Sequence, residues 1–529
     1  MWRIDSLSKD LRNVVVAFSL SNLCFLEVWV ILLNGIRPDG YYLRETDPGS
    51  IRFIALAIEI TLLTGLLWLA ASALDRTTAG RRVRQWAFLA LLIVPGTIAI
   101  RHYSRSVINL ALMNRWLMGA TVVCTLALFM GLYRFRQQVV RTAITLLIIL
   151  SPLGVVNFAS AAWLRMKYRD ERAAMPITTR SDTPRIIWII FDELDQNTVF
   201  VNATSSVSLP EFDRFRAQSL VVQNAYPPSG ATLSSLPALI TGQIVADAQP
   251  LAANELGLTL SNGAKVKWSE QSTVFSQARA EGFSSGVAGW YHPYCRILGR
   301  SLDWCLWGDL SELATMNDRV SQLTLRQAML KSTREVVNHM PIFRLRGESQ
   351  PATPNTSELE AKQTHITEFQ SVSTKAASLI AKDLNLILLH FPVPHSPWIY
   401  DVSRHTFSAD PGHGGYLNNV ELADRALGEI RNRLEESNRW DSSIVLISSD
   451  HWWRESPLVN GRRDHRIPFM LKLASQKSSL EYQVPVNSIV TRELLMQLLR
   501  GNLRNSADVA MWLDHNSMIA ESPVTKDLP

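Results

Sequence analysis

Long apolar runs fill residues 1–164 and only short ones follow, and this change in run length constrains the fold more than any other feature of the chain. Five long runs are readable, at Val14–Leu33, Phe53–Leu74, Trp86–Ile100, Trp116–Leu132 and Ala143–Leu164. A helix that crosses a bilayer needs about 20 predominantly apolar residues; the third run is the shortest. The first is too long for a cleaved signal peptide, has no small-residue cleavage site before Gly35 and is followed by four more runs. Arg76, Arg81, Arg82 and Arg84 follow the second run, and Arg134, Arg136 and Arg141 follow the fourth. Arginine and lysine collect in cytoplasmic loops, so those two loops and the amino terminus are expected in the cytoplasm. Arg101, Arg105 and Arg115 work against that orientation. Five spans would place everything after residue 165 outside.

The net charge of +6 raises the question of nucleic acid, but the arginines flank the apolar runs. That placement fits membrane topology, and no nucleic-acid partner is expected; no protein partner is inferable. Cys24 and Cys124 lie in spans, whereas Cys295 and Cys305 lie ten residues apart in the later part. Outside the cytoplasm the latter pair is expected to bridge. Glu27 and Glu59 fall inside the first two spans. An ionisable residue at that depth is costly and needs a partner or a role; structural pairing and contact with a lipid headgroup are both open for Glu59.

After a charged connector at residues 165–183, short fully apolar segments alternate with amphipathic ones over 184–512, and a tail runs from 513 to 529. Strands are expected at Ile186–Phe191, Ser285–Gly289, Asn385–Leu389 and Ser443–Ser448, and helices at Thr273–Glu281, Glu358–Ala381 and Val420–Glu436. Leu345–Lys362, rich in Pro, Thr and Ser, reads as a surface loop. Buried strands alternating with helices imply an α/β domain with a largely parallel central sheet, preceded by a five-helix transmembrane bundle. Chemistry in such sheets gathers beyond the carboxyl ends of the strands.

Acids and imidazoles fall at those ends. The first strand runs into Asp192-Glu193 and the last into Asp450-His451. Between them lies Tyr226-Pro-Pro-Ser-Gly-Ala-Thr232, then Leu-Ser-Ser-Leu-Pro-Ala-Leu-Ile-Thr-Gly242. A hydroxyl on a loop, with carboxylates and an imidazole at two strand ends, makes a divalent-metal site with a metal-activated nucleophile. Its ligands would be Asp192, Thr232, Asp450 and His451, a mixed oxygen and nitrogen set that suits Zn, or Mn, better than Ca. Glu193 is a further ligand or a support for Asp192. His390 reads as a core histidine. Arg454 and Arg466 are candidates to pair with phosphate or to stand solvated, and Trp452, Trp453 and Trp398 to form a lipid- or sugar-facing rim or to pack in the core.

Four blocks in order resemble the alkaline phosphatase superfamily, in particular its sulfatase-like branch: the strand ending in Asp192-Glu193, the segment Thr232 to Gly242, Gly282-Phe-Ser-Ser-Gly-Val-Ala-Gly-Trp-Tyr-His292, and Ser449-Asp450-His451 followed by His465-Arg-Ile-Pro468. The resemblance makes Thr232 the nucleophile and His292 a substrate-facing residue. His395, in Phe391-Pro-Val-Pro-His-Ser-Pro-Trp, resembles the superfamily's Pro-His-x-Pro block. With His465 it would hold a second ion, or bind phosphate and protonate the leaving group.

Departures from that pattern narrow it. Sulfatases carry Cys or Ser at the nucleophile, Arg four residues on and Lys in the third block; this chain has Thr232, Leu236 and Trp290. Threonine with Asp-His, behind about five spans, is similar to the bacterial membrane phosphoethanolamine and phosphoglycerol transferases. The resemblance implies a multi-pass protein of the inner membrane with a periplasmic catalytic domain. Such an enzyme moves a phospholipid headgroup, through a phosphothreonine, to a hydroxyl of an envelope lipid, glycan or polymer. A hydrolase using water in place of the acceptor, and a lipid-sensing regulator without activity, are the other readings.

Overall fold

The structure is a computed structural model that describes residues 8–34, 41, 50–91, 134–167, 177, 183–201, 208–252, 254–306, 324–338, 354–457 and 464–516. It divides into two compact units. The first holds α1 (Lys9–Cys24), α2 (Leu26–Asn34), α3 (Ser50–Leu74), α4 (Arg136–Lys167) and the helix Leu325–Asn338. Ser8 caps α1, its hydroxyl accepting from the Leu11 amide. The first expected span is broken at Phe25, between α1 and α2. Among the described residues two helices are long and apolar enough to cross a membrane, Ile51–Leu74 and Arg136–Trp163. They match the second and fifth expected spans. The third expected span is described only as far as Leu91, and the fourth lies outside the described residues, as does the Glu27 side chain. The Glu59 carboxylate is buried and accepts from Thr333 Oγ1 at 2.8 Å.

The second unit is an α/β domain built on an eight-stranded sheet. In chain order its strands are β1 (Arg185–Asp192), β2 (Leu220–Val222), β3 (Ser285–Gly289), β4 (Trp304–Leu306), β5 (Leu386–Pro394), β6 (Ser443–Ser449), β7 (Phe469–Lys472) and β8 (Leu480–Tyr482). Across the sheet the order is β8-β2-β7-β6-β1-β5-β3-β4, and β7 alone runs antiparallel to its neighbours. The expectation of a largely parallel sheet is met.

Side-chain alternation explains why the central strands are apolar throughout. Ile186, Trp188 and Ile190 of β1 enter one core, and Ile187, Ile189 and Phe191 enter the other, on the opposite face. The same split recurs in β5 and β6. The helices α5 (Thr232–Thr241), α6 (Val274–Ala280), α7 (Pro354–Ile380) and α8 (Tyr416–Glu436) belong to this unit. A capping box starts α6, the Thr273 amide donating to Ser276 Oγ at 2.8 Å and the Ser276 amide to Thr273 Oγ1 at 3.0 Å. α5 ends at Gly242, whose amide donates to the Ala238 carbonyl at 2.7 Å and whose left-handed φ of 69° turns the chain out of the helix.

Two expectations need correction. Residues 354–362 belong to α7 rather than to a surface loop; Pro354 opens the helix, where its missing amide hydrogen is no loss. β5 runs on past Leu389 to Pro394 and so takes in His390. Cys295 and Cys305 form a disulfide, as expected.

Candidate active site

The sheet register assembles the site. Phe191 pairs with Ser449 across parallel β1 and β6. The residues that follow these two are Asp192, the last of β1, and Asp450, just past β6, so the two acids emerge side by side at the carboxyl end of the sheet, with His451 directly after. Ser449 ties the two strand ends together: its hydroxyl donates to the Phe191 carbonyl at 2.8 Å and accepts from the Leu194 amide at 2.9 Å. Thr232 opens α5, and its Oγ1 stands 3.3 Å from Asp192 Oδ2 and 3.2 Å from His451 Nε2. His451 Nε2 is 3.7 Å from Asp192 Oδ1 and 3.5 Å from Asp450 Oδ2.

These groups fit a divalent cation. Asp192, Asp450 and His451 are fully buried and each offers one ligand atom within 4.8 Å of the others. Asp450 Oδ1 accepts from the Glu193 amide at 3.2 Å and the His451 amide at 2.9 Å, which aims Oδ2 inward. Asp450 Oδ2, Asp192 Oδ1 and His390 Nε2 are buried without a hydrogen-bond partner. Buried polar atoms left bare are costly, and a cation among them would satisfy all three. The tautomer of His451 agrees: its Nδ1 lies 2.9 Å from the Trp452 carbonyl, which can only accept, so Nδ1 carries the hydrogen and Nε2 keeps a lone pair for the site.

Electrostatics point the same way. Burial pushes the Asp192 carboxyl well above the usual carboxylate range, and the charge of Asp450 adds to the push. The same burial opposes ionisation of Asp450, but His451 and His390 in their protonated forms, and then hydrogen bonds from Thr232 and the Glu193 amide, hold its carboxyl below that range. Two adjacent buried carboxyls that cannot comfortably both ionise call for a cation.

The other expected site residues are placed less uniformly. Glu193 has φ 64°, in the left-handed region that non-glycine residues seldom occupy. Its Oε1 accepts from Arg454 Nε at 3.0 Å, so its carboxylate already has a cationic partner. The Tyr416 hydroxyl, under the stacked ring of Trp453, donates to its carbonyl at 2.7 Å. His292 is buried rather than open to substrate; its Nε2 donates to the Thr232 carbonyl at 3.0 Å, and burial lowers its pKa to about 3. His390 is no plain core residue: its Nε2 lies 3.9 Å from Asp192 Oδ2. Burial lowers its pKa to about 4.

His395 is partly buried, and burial lowers its pKa too. Its ring lies 5.7 Å from Trp290, which also packs on His390 and His365. His465 stacks on Trp452 at 4.0 Å. Trp452 in turn covers Gly230, where a Cβ would come within 2.6 Å of the indole. Arg466 is clamped by Asp464, Nη2 to Oδ2 at 2.6 Å and Nε to Oδ1 at 2.9 Å, and does not present a free fork to the site.

A family model described as Sulfatase matches residues 184–498. No curated protein matches the chain. Among solved structures, Ps i-CgsB in complex with k-i-k-neocarrahexaose is 15% identical, with 63% of this chain and 76% of that chain covered and a TM-score of 0.41. A protein in the alkaline phosphatase superfamily from Vibrio parahaemolyticus is 14% identical, with 62% and 68% covered and a TM-score of 0.38. The phosphonate monoester hydrolase of Agrobacterium radiobacter is 12% identical, with 60% and 77% covered and a TM-score of 0.35.

Proposed function

The chain belongs to the sulfatase family of the alkaline phosphatase superfamily, and we propose that within it this protein is a membrane-anchored, metal-dependent transferase of phospholipid headgroups. The observation that carries this reading is the Thr232 hydroxyl within 3.3 Å of both Asp192 and His451. A threonine cannot become the formylglycine of a sulfatase, and Leu236 and Trp290 stand where sulfatases hold sulfate with cations. A phosphodiester anion needs less grip when a cation lies beside it.

Asp192, Asp450, His451 and Thr232 would hold a zinc or manganese ion, with His390 beside them; Glu193, paired with Arg454, supports the turn. A bound ion lowers the pKa of the threonine hydroxyl and screens the phosphate charge from it. Thr232 Oγ1 attacks the headgroup phosphorus of a phospholipid such as phosphatidylethanolamine or phosphatidylglycerol. Its proton passes to a neighbouring acceptor, the bond from phosphorus to the diacylglycerol oxygen breaks, and His395 or His465 protonates that oxygen. A hydroxyl of an envelope lipid, glycan or polymer then attacks the phosphothreonine and frees Thr232. Trp452, stacked on His465 and set over Gly230, would contact the bound substrate. The apolar helices keep the domain where the headgroup lies, which suits five spans, a bacterial inner membrane and a periplasmic site.

Intact-mass analysis after incubation with isotopically labelled phospholipids tests this. A headgroup phosphate adduct that maps to Thr232 is expected, and its mass names the donor. Release of free headgroup phosphate with every acceptor offered would favour the hydrolase, and absence of any adduct or turnover with bound metal would sink the enzymatic reading.

A further inference from the structure

Tyr41 stands in sequence between α2 and α3 of the first unit, yet it belongs to the second, where its side chain is fully buried. Its hydroxyl lies 2.7 Å from His292 Nδ1, and the opposite edge of the same ring, Nε2, lies 3.0 Å from the Thr232 carbonyl. A carbonyl only accepts, so Nε2 carries the hydrogen. A neutral imidazole then has a bare Nδ1, and Tyr41 is the donor. The ring is also held in place edge-on, by Trp268 at 5.0 Å, Tyr291 at 5.1 Å and Tyr294 at 5.7 Å.

The chain of bonds ends on the backbone of the residue whose hydroxyl faces Asp192 and His451. Fixing the Thr232 carbonyl fixes the peptide plane at the head of α5 and, with it, the direction in which Oγ1 leaves the helix. Without the Tyr41 hydroxyl, the buried Nδ1 has no donor, and the other tautomer, which cannot donate to Thr232, becomes accessible. The family match begins at residue 184, so Tyr41 lies outside it.

We propose that Tyr41, contributed from between the first two apolar stretches, is a positioning residue of the active site that acts on the nucleophile through His292. The proposal rests on the reading of Thr232 as the nucleophile. It means that the catalytic domain is incomplete when cut away from the chain that precedes it.

The test uses the full-length protein and a soluble aryl phosphodiester, bis(4-nitrophenyl) phosphate, which needs no lipid donor. Tyr41→Phe keeps the ring and deletes the hydroxyl. It should lower kcat roughly 10- to 100-fold, with KM, metal content and melting temperature close to wild type. In a His292→Leu background the same change should add nothing further, because coupled residues are non-additive. Selective ¹⁵N-histidine labelling reads the bond without turnover: the Nδ1 resonance of His292 should move in Tyr41→Phe. An unmoved resonance, a wild-type kcat, or a loss confined to melting temperature would overturn the proposal. If Thr232→Ala is inactive while Tyr41→Phe is fully active, this proposal alone falls. If Thr232→Ala turns over normally, the assignment of the nucleophile falls and takes it along.

Discussion

Thr232 Oγ1 lies 3.2 Å from a His451 nitrogen whose ring partner, Nδ1, is already committed to the Trp452 carbonyl at 2.9 Å. In the neutral ring the facing nitrogen therefore has a lone pair and no proton to give. That arrangement serves a hydroxyl that must lose its hydrogen and share a cation. Thr232→Ala should cut turnover by at least about 10³-fold, with melting temperature nearly unchanged, since one hydroxyl and one methyl are lost. Thr232→Ser keeps the oxygen and should retain measurable activity. Steady-state rates of the two variants side by side check this; comparable rates for both would end the covalent mechanism.

Metal should stabilise the fold through the same residues. Asp192 and Asp450 are buried next to one another, and without a cation they repel. Asp192→Asn removes one charge, so the metal-free protein should melt higher than metal-free wild type. It should also lose most of the rise in melting temperature that zinc produces, because only ligand bound to the folded state stabilises it. Asp450→Asn and His451→Ala should lose the metal altogether, as seen by elemental analysis. Full metal content in both would show the ligands to lie elsewhere.

Much of the site is legible in the sequence. β1 and β6 announce themselves by unbroken apolar runs rich in β-branched residues, and each ends in the acid that its neighbour's register sets beside the other. His390 reads as a core histidine because it falls one residue past a strand expected to stop at Leu389; the strand runs on to Pro394 and carries the histidine to the site. Residues 354–362 read as loop because the Pro and Thr there suit a loop as well as a helix start. Arg466 has its signal two residues earlier, in Asp464. Tyr41 has none: no periodicity or spacing links it to a histidine so far along the chain, and only the tertiary fold brings the two together.

Glu193 and Arg454 should matter for geometry rather than for metal. The Glu193 carboxylate is buried, whereas Arg454 is about half exposed. Arg454→Gln would leave that carboxylate without its cation, close to Asp192, at a residue already in an unfavourable φ. Activity should fall roughly 10-fold, and elemental analysis of both Arg454→Gln and Glu193→Gln should show wild-type metal content. Loss of metal in Glu193→Gln would make Glu193 a ligand after all.

Asp424 gives the second unit a predictable response to acid. It accepts from the Phe212 amide at 2.7 Å and the Glu211 amide at 3.3 Å, and burial raises its pKa from 3.8 to about 6. With a raised folded-state value, an acid holds its proton longer in the folded chain than in the unfolded one. Its contribution to stability is therefore complete below about pH 4 and lost as pH rises through about 6. Asp424→Asn keeps an acceptor and cannot ionise, so the stability difference between variant and wild type should grow in the variant's favour from about pH 4 to about pH 6. Melting curves across that range check it; a constant difference would show that Asp424 does not titrate as its burial implies.

Orientation decides whether the transferase reading can hold at all. With five spans, the second unit lies outside the cytoplasm, in a compartment where the Cys295–Cys305 bridge can form and persist. A reporter fused after Met175 should then give an extracytoplasmic signal, and one fused between Asp75 and Thr77 a cytoplasmic one. Trp86–Ile100 is the expected span on which the count turns, because it is short and arginines follow it on what would be the outer side. If it does not cross, four spans remain and the catalytic domain faces the cytoplasm, among reducing thiols and out of reach of an envelope acceptor. Alkylation with a thiol reagent before and after reduction reads the same question on the native chain: Cys295 and Cys305 should label only after reduction. A cytoplasmic signal after Met175, with both thiols free, would refute the envelope-transferase reading and leave the metal chemistry standing without it.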